Sequence, residues 1–515
     1  MATIFPDATA IMIEEQSPEL LWIVILGFIV GFFLAFGVGA NDVANSFGTS
    51  VGSKALSLKQ ACILATIFEI AGSVLMGYRV SDTVRKKIFD VETFSGFEKE
   101  IMLGFLASLI GSAIWNIVAT FFRWPISGTH SIIGAVVGFA FVARGFMGVK
   151  WKMLGQIVSS WFLSPVLSGL ISSMLFMVVK RFILTKDNAI NRAYLSLPFF
   201  WGVTIFVNLF SVVHNGPSYL GFDLIPWWGV FILAGGVGLI FGLCVFYILV
   251  PYLQSSSSKI GDSENSENQI AGDELPSKIS YPEAENLGFE ENGKIGLEIP
   301  LGKVSSSYSL DLSSSNNTSV STIGEDLTKT IHKDKLPSGA ISDTDTPEAA
   351  RVFSSLQILT AIFASFAHGA NDVSNAIGPV IAIYLIYQDG DVMQLKESPF
   401  WIMLYGGFGI SVGLWVWGQK VIKTIGEDLT TITPSSGFCI EIGAATTVLL
   451  ASKIGLPIST THCKVGSIVF VGWTRSRTAV DWKLFRSIVL AWVLTLPISA
   501  ALSAAAMAIL TAVTS

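Results

Sequence analysis

Charge is what this chain has least of. Of its 515 residues only 14 % are Asp, Glu, Lys or Arg, against 51 % hydrophobic. A soluble protein carries about 25 % charged residues to cover its surface, so a water-exposed globule is excluded. The basic residues form no stripe of the kind that nucleic-acid binding requires. Cysteine is scarce: Cys62, Cys244, Cys439 and Cys463 fall in or beside apolar runs, without disulfide or metal-ligand spacing. They read as small apolar packing. The N-terminus has Asp7, Glu14, Glu15 and Glu19 but no basic residue, so the positive n-region of a secretory signal is missing. The first apolar run, 20–40, is therefore expected to stay as a span.

Long apolar runs are what the chain does have. They lie near 20–40, 58–80, 101–122, 126–148, 153–180, 196–213 and 225–252, then near 352–388, 400–423, 436–452, 458–473 and 484–512. At about 20 residues per crossing these predict roughly twelve transmembrane helices, an all-α polytopic membrane protein. The 352–388 run is too long for one simple helix and holds a polar cluster, which predicts a broken or re-entrant element. Residues 254–350 change character, beginning Gln254-Ser255-Ser256-Ser257-Ser258 and continuing in Ser, Asn, Glu, Asp and Lys. Such composition predicts a disordered polar loop, serving either regulation or simple linkage, between membrane halves 1–253 and 351–515.

The two halves repeat one another. Gly39-Ala40-Asn41-Asp42-Val43-Ala44-Asn45 returns as Gly369-Ala370-Asn371-Asp372-Val373-Ser374-Asn375. Pro125-Ile126-Ser127-Gly128-Thr129-His130 returns as Pro457-Ile458-Ser459-Thr460-Thr461-His462. Asp42 and His130 are 88 residues apart, Asp372 and His462 90. Same order and near-equal separation mean duplication. Seven crossings separate the copies, and an odd number predicts two inverted repeats, with the 254–350 loop cytoplasmic and both termini outside. The positive-inside pattern is mixed: Lys180, Arg181, Lys186 and Arg192 agree with Arg475 and Arg477, while Arg85, Lys86 and Lys87 then lie opposite.

A carboxylate and two amides are costly to bury in a membrane and mark ion or substrate paths. Asp42 and Asp372 offer hard oxygen ligands, as do the amide carbonyls of Asn41, Asn45, Asn371 and Asn375. Such oxygens suit Na⁺, with carbonyls freed where a helix unwinds; interhelical packing is the competing reading. The Pro-Ile-Ser elements read as helix starts, whose N–H groups and hydroxyls bind phosphate-like anions. Ser127, Gly128 and Thr129, with Ser459, Thr460 and Thr461, are placed to wrap one tetrahedral oxyanion from two sides; plain N-capping is the bland alternative. His130 and His462 are expected to cap or support. Glu69 and Glu441 also lie in apolar runs, as candidate coupling residues or as protonated acids bonded to a neighbouring helix. Sequence offset aligns Glu441 with Leu109, and Glu69 with Pro399 or Trp401, so the two are not equivalents.

Combined, these elements imply coupling. A phosphate dianion beside two aspartates is untenable at low dielectric unless cations intervene. No lysine or arginine lies inside the motifs, although Arg123 and Lys464 flank them. Na⁺ between the aspartates and the anion neutralises both, so neither binds well alone. No catalytic residue or cofactor is indicated. The remaining alternatives are H⁺ coupling, another oxyanion such as sulfate, a phosphate sensor, or an intramembrane phosphatase; duplicated motifs argue against the last, because catalysis needs asymmetric roles.

The paired Gly-Ala-Asn-Asp-Val motifs and the stretch Pro-Ile-Ser-Thr-Thr-His-Cys-Lys-Val-Gly (457–466) resemble the inorganic phosphate transporter family of sodium-phosphate symporters. The resemblance covers both membrane halves and excludes 254–350. It implies an inverted-repeat helical fold, a homodimer in the plasma membrane, and symport of phosphate with Na⁺ by an elevator-like or rocking motion. It also implies ion binding by Asp42, Asp372, Asn41 and Asn371, phosphate binding by Ser127, Thr129, Ser459, Thr460 and Thr461, and essential roles for Glu69 and Glu441. The sequence departs from animal relatives in lacking an Asn-x-Ser/Thr sequon in 81–100; its sequons start at Asn316 and Asn317.

Overall fold

A computed structural model describes residues 15–256, 345–423, 429–476 and 480–514, and everything below concerns these. Most of the polar segment 254–350, with both sequons, lies outside them. The described residues are helical apart from turns and one isolated bridge, Phe89 to Val149. The first half contains α1 (Leu21–Asp42), α2 (Ala44–Gly52), α3 (Leu58–Met76), α4 (Tyr78–Lys86), α5 (Glu98–Phe121), α6 (Gly128–Arg144), α7 (Trp151–Val179), α8 (Ala189–Val213) and α9 (Trp227–Cys244). The second contains α10 (Pro347–His368), α11 (Ser374–Asp389), α12 (Phe400–Gly413), α13 (Gln419–Lys423), α14 (Pro434–Lys453), α15 (Thr460–Arg475) and α16 (Trp482–Thr514).

Among the described residues eleven helical runs are long and apolar enough to cross a bilayer. The expected twelfth, near 458–473, is α15, whose 16 residues fall short of the roughly 20 that a crossing needs. It is one arm of a hairpin. After α14 the chain turns at Ile454 and Gly455, runs extended through Pro457, and starts α15 where the Ser459 hydroxyl accepts the His462 N–H at 3.1 Å. The first half does the same between α5 and α6, with Ser127 capping His130 at 3.3 Å. Proline lacks the N–H to continue a helix and serine supplies the cap that starts a new one, so each Pro-Ile-Ser element puts a helix start inside the molecule.

The 352–388 run is helical from Pro347 to Asp389. Its interruption is a π turn at Gly369–Val373, coincident with the motif, and the chain does not fold back there. In the first copy the interruption is a single turn residue, Val43, between α1 and α2. An extra residue in the ladder releases carbonyls from helical pairing.

The duplicated elements run past each other in opposite directions. At one end Gln16 N–H donates to the Tyr387 carbonyl at 2.9 Å; at the other Ser53 Oγ donates to Gln357 Oε1 at 2.6 Å. Glycine sets how closely they cross. A Cβ on Gly39 would collide with the Ile410 backbone, and one on Gly369 with the Glu69 backbone. Gly413 packs on the Phe36 carbonyl as Gly72 packs on that of Phe366. These matched crossings put Glu69 opposite Ile410, not Pro399 or Trp401. Offset counting misses this because α11 has 16 residues against 9 in α2, and the connection after it is longer too.

Large apolar side chains stay exposed around the outside, among them Phe162, Leu195, Ile232 and Leu239, each at least 65 % accessible. A soluble monomer does not leave such a belt uncovered. The helices α8 and α9 pair through Gly202, Gly238 and Gly242 and have no counterpart in the second half. Cys62, Cys439 and Cys463 are buried as packing residues, whereas Cys244 is exposed on α9.

Gly72→Ala and Gly413→Ala are each expected to cost about 1–3 kcal/mol through overpacking against backbone. Gly155→Ala, with open space around it, should be neutral or slightly stabilising. Thermal unfolding in detergent checks this; an unchanged midpoint for the first two would refute the close crossings.

Candidate functional site

The two motifs and the two helix starts meet in one buried cage, and they meet crosswise. Asp42 Oδ1 accepts from Thr461 Oγ1 of the other repeat at 3.1 Å, and Asp372 Oδ1 accepts from Thr129 Oγ1 at 3.1 Å. Thr461 Oγ1 also reaches the Ile126 carbonyl at 2.9 Å, as Thr129 Oγ1 reaches that of Ile458 at 2.9 Å. Asn45 Nδ2 donates to Thr461 Oγ1 at 2.9 Å and Asn375 Nδ2 to Thr129 Oγ1 at 2.9 Å. The same three contacts at the same distances in both copies describe a local two-fold. Asp42, Asp372 and both threonines are at most 1 % exposed.

The bonding in this cage falls short by one proton on each side. A threonine hydroxyl has one hydrogen, yet each faces both a carboxylate oxygen and a backbone carbonyl within bonding distance. One of those two oxygens therefore faces the hydroxyl's lone pairs. In addition Asn45 Oδ1 and Asn375 Oδ1 are buried without a hydrogen-bond partner. Buried unpaired acceptors are costly, and here they gather beside a carboxylate, a hydroxyl and a carbonyl. Such all-oxygen sets are what hard cations take. Among the described residues no group of three or more His, Cys, Asp or Glu is placed to hold a metal ion, so a transition-metal ligand set is not what the site offers.

Asn41 and Asn371 have other duties in this structure. Asn41 Oδ1 accepts the Ile126 N–H at 3.1 Å and its Nδ2 donates to the Trp124 carbonyl at 2.9 Å, holding the first hairpin turn. Asn371 Oδ1 accepts from Asn375 at 2.9 Å and its Nδ2 donates to Ser452 Oγ at 3.3 Å. The donors expected to take an anion are turned onto the aspartates: Gly128 N–H to Asp42 Oδ2 at 3.1 Å and Thr460 Oγ1 to Asp372 Oδ2 at 2.6 Å. A carboxylate thus already occupies each helix start, which is the anion preference that such termini have. Ser127 and Ser459 serve as N-caps.

His368 is the residue that sequence reasoning passed over. Its Nδ1 lies 2.7 Å from Glu69 Oε2, and its Nε2 lies 3.0 Å from Asp372 Oδ2, off the line of a good hydrogen bond. Ser365 Oγ donates to Glu69 Oε1 at 2.9 Å. Glu69 therefore reaches the cage through an imidazole. The signal was present: His368 stands four residues before Asp372, one helical turn away, where the first copy has Val38. Glu441 is held by Thr49 and Ser50 at 2.5 and 2.6 Å on one oxygen and by Thr360 at 2.5 Å on the other. His130 and His462 face each other, ring centres 4.5 Å apart, backed by Trp161 and Trp492 at 3.7 and 3.8 Å. His462 Nδ1 lies 3.0 Å from the Trp161 carbonyl, while both ring nitrogens of His130 are buried without a hydrogen-bond partner, so neither imidazole caps a helix start.

A buried, two-fold oxygen cage between repeated hairpins, inside a belt of apolar helices, defines a polytopic membrane transporter and not an enzyme. Residues 38–503 match the phosphate transporter family, and the chain belongs to that family. Among similar proteins, sodium-dependent phosphate transporter 1-A of Danio rerio is 40 % identical, with 96 % of each chain covered. Sodium-dependent phosphate transporter 1 of Homo sapiens is 38 % identical, with 99 % of each covered. A solved structure described as the sodium-dependent phosphate transporter superposes with a TM-score of 0.71 at 34 % identity, covering 95 % of this chain and 99 % of that one.

Thr129→Val and Thr461→Val are expected to destabilise by similar amounts, about 1–3 kcal/mol each, by stranding a buried amide donor and a carbonyl. Thermal unfolding of both variants checks it. A large cost for one and none for the other would break the two-fold assignment.

Proposed function

We propose that this protein carries inorganic phosphate together with Na⁺ across a membrane by alternating access. The observation that carries the reading is the crosswise cage, in which each aspartate is completed by the threonine of the other repeat. Na⁺ sits against Asp42 with Asn45, and against Asp372 with Asn375, where the orphaned amide oxygens lie. Asn41 and Asn371 hold the frame around these ions. Once Na⁺ neutralises the carboxylates, Gly128 and Thr460, with Thr129 and Thr461, are released to phosphate, and Ser127 and Ser459 fix the helix starts that present them. The anion thus replaces the aspartates as the acceptor of those donors. Glu69, through His368, and Glu441 couple the cage to its surroundings.

The opposed directions of α1–α2 and α10–α11 support two inverted repeats, and with them an elevator-like or rocking exchange of access. In this reading the 254–350 segment is cytoplasmic and both termini lie outside. A plasma-membrane homodimer fits the family. Ion coupling follows from charge: moving one net charge through 100 mV is worth about 2.3 kcal/mol, so excess Na⁺ adds an electrical drive to the chemical one.

Radiolabelled phosphate uptake into proteoliposomes tests the reading, under an imposed Na⁺ gradient against choline and pH-gradient controls. Accumulation is expected to require Na⁺ and to be blocked by excess phosphate but not sulfate. Uptake driven by the pH gradient alone would transfer coupling to protons, and binding without flux would make the protein a sensor. Asp42→Asn and Asp372→Asn should each reduce Na⁺-driven uptake to background in folded protein; wild-type rates in either would sink the ion sites. Removing 260–340 should leave the phosphate KM within about twofold, because shortening a connection changes closure entropy and leaves the bonds of the cage as they are. The deletion stops short of Asp345, whose carboxylate caps α14 through Ser435 at 2.7 and 3.0 Å.

A further inference from the structure

The two-fold holds at the cage and fails one helical turn beyond it. On the side where α15 leaves the cage stand Glu441, its hydroxyl partners Thr49, Ser50 and Thr360, and Lys464. By the repeat offsets, Glu441 and Lys464 correspond to Leu109 and Ile132, and the three hydroxyl residues to Pro379, Val380 and Val30. The structure supports that register: Gln357 meets Ser53 on one side, and their counterparts Gly27 and Ile383 touch on the other. One side of the cage thus carries two buried ionisable groups where the other carries leucine and isoleucine.

Lys464 is a buried cation without a bonded partner. It is 1 % exposed, and its Nζ has no hydrogen-bond partner. Among the described residues it joins no ion pair within 4 Å, though its charge acts on Glu441 from further off. Glu441 already has three short hydroxyl bonds, so an ammonium there can balance its charge but is not required as its donor. A buried, unbonded ammonium costs several kcal/mol, and the other repeat fills the position with isoleucine. Lys464 stands four and three residues after Thr460 and Thr461, one turn along α15, and side chains on a helix lean toward its N-terminus. The helix α15 then continues to Arg475, which bonds the Thr431 carbonyl at 3.0 Å beside the start of α14. That is the end of the molecule where Asp345 caps α14, the end from which the 254–350 segment departs.

We propose that Lys464 forms a second anion subsite, which takes phosphate from the central threonines on the side where Asp345 caps α14. The subsite rests on the phosphate reading above. It makes the two half-cycles unequal. Phosphate on that side meets a tethered cation, whereas on the other side it meets only Na⁺ and backbone.

The test is a charge cycle at Lys464 and Glu441 in proteoliposomes sorted by orientation, with Lys464→Gln, Glu441→Gln and the double variant. KM is taken as the half-saturating phosphate concentration for Na⁺-dependent phosphate binding, so that a variant that loses flux is still read. If Lys464 serves phosphate, Lys464→Gln raises the phosphate KM by about tenfold or more, the loss of one charge-assisted bond. The rise is larger when phosphate is offered from the side where Asp345 caps α14, and adding Glu441→Gln does not relieve it. Na⁺-dependent thermal stabilisation stays as in the wild type. If the double variant recovers the wild-type KM, Lys464 only balances Glu441 and the proposal falls. An equal rise from both sides would put Lys464 in the central cage and overturn a separate subsite. Should Lys464→Gln fail to fold, the double variant, which buries neither charge, is compared with Glu441→Gln alone: equal KM values overturn the proposal and a further rise supports it. Absence of Na⁺-driven phosphate uptake in the wild type would instead defeat the underlying reading.

Discussion

The constraint on which the rest of this structure depends is the burial of two aspartates in a low-dielectric interior. An isolated carboxylate there is untenable, and two near each other are worse. The fold answers with donors. Each carboxylate receives a hydroxyl from the opposite repeat, Thr461 for Asp42 and Thr129 for Asp372, and a second donor from a helix start, Gly128 or Thr460. Those donors exist only because both hairpins end inside the molecule, and the hairpins end there because proline and a serine cap stop one helix and begin another. The local geometry of two short motifs thus dictates the crossing of the two halves.

The exchange across the two-fold has a functional consequence. Because neither repeat completes its own site, a displacement of one hairpin disturbs the carboxylate held by the other half. The hydroxyl with one proton between two acceptors, and the unpartnered amide oxygens of Asn45 and Asn375, are strains that a cation relieves. The donors on the aspartates are the same ones an oxyanion requires. In the proposed cycle cation and anion therefore favour the same rearrangement without touching the same atoms, which is the thermodynamic content of coupling.

The symmetric part of this was legible in the sequence, and the asymmetric part mostly was not. Hydropathy showed the membrane helices, and the recurrence of Gly-Ala-Asn-Asp and Pro-Ile-Ser at matched spacing showed the duplication and most of the cage. What spacing cannot show is which copy bonds which; the crosswise pairing needs coordinates. Offset counting also assumes equal connections, so the longer α11 and its following loop hid the match of Glu69 with Ile410. Asn41 and Asn371 read as ion ligands because amides in a membrane are few, yet their amides are spent on the hairpins. His368 went unread since the comparison followed what the copies share, and it stands where they differ.

Those differences bear on how the two faces bind and release phosphate. A perfectly two-fold cage would offer phosphate identical affinities on both faces, while the gradients set the direction of net flux in either case. Among the departures from symmetry are four ionisable residues set against apolar counterparts: Glu69 against Ile410, His368 against Val38, Glu441 against Leu109, Lys464 against Ile132. Polar groups in a membrane interior are expensive and accumulate where they are used. The residues of the first kind touch the cage through His368, and those of the second lie one turn along α2 and α15 from it. Both sets bear on α10, through Ser365 and His368 for Glu69 and through Thr360 for Glu441. One helix is therefore in contact with both buried glutamates and with Asp372. A shift of α10 along its axis changes the surroundings of all three carboxylates together, so the symmetry that builds the cage also leaves one helix on which its asymmetric charges converge.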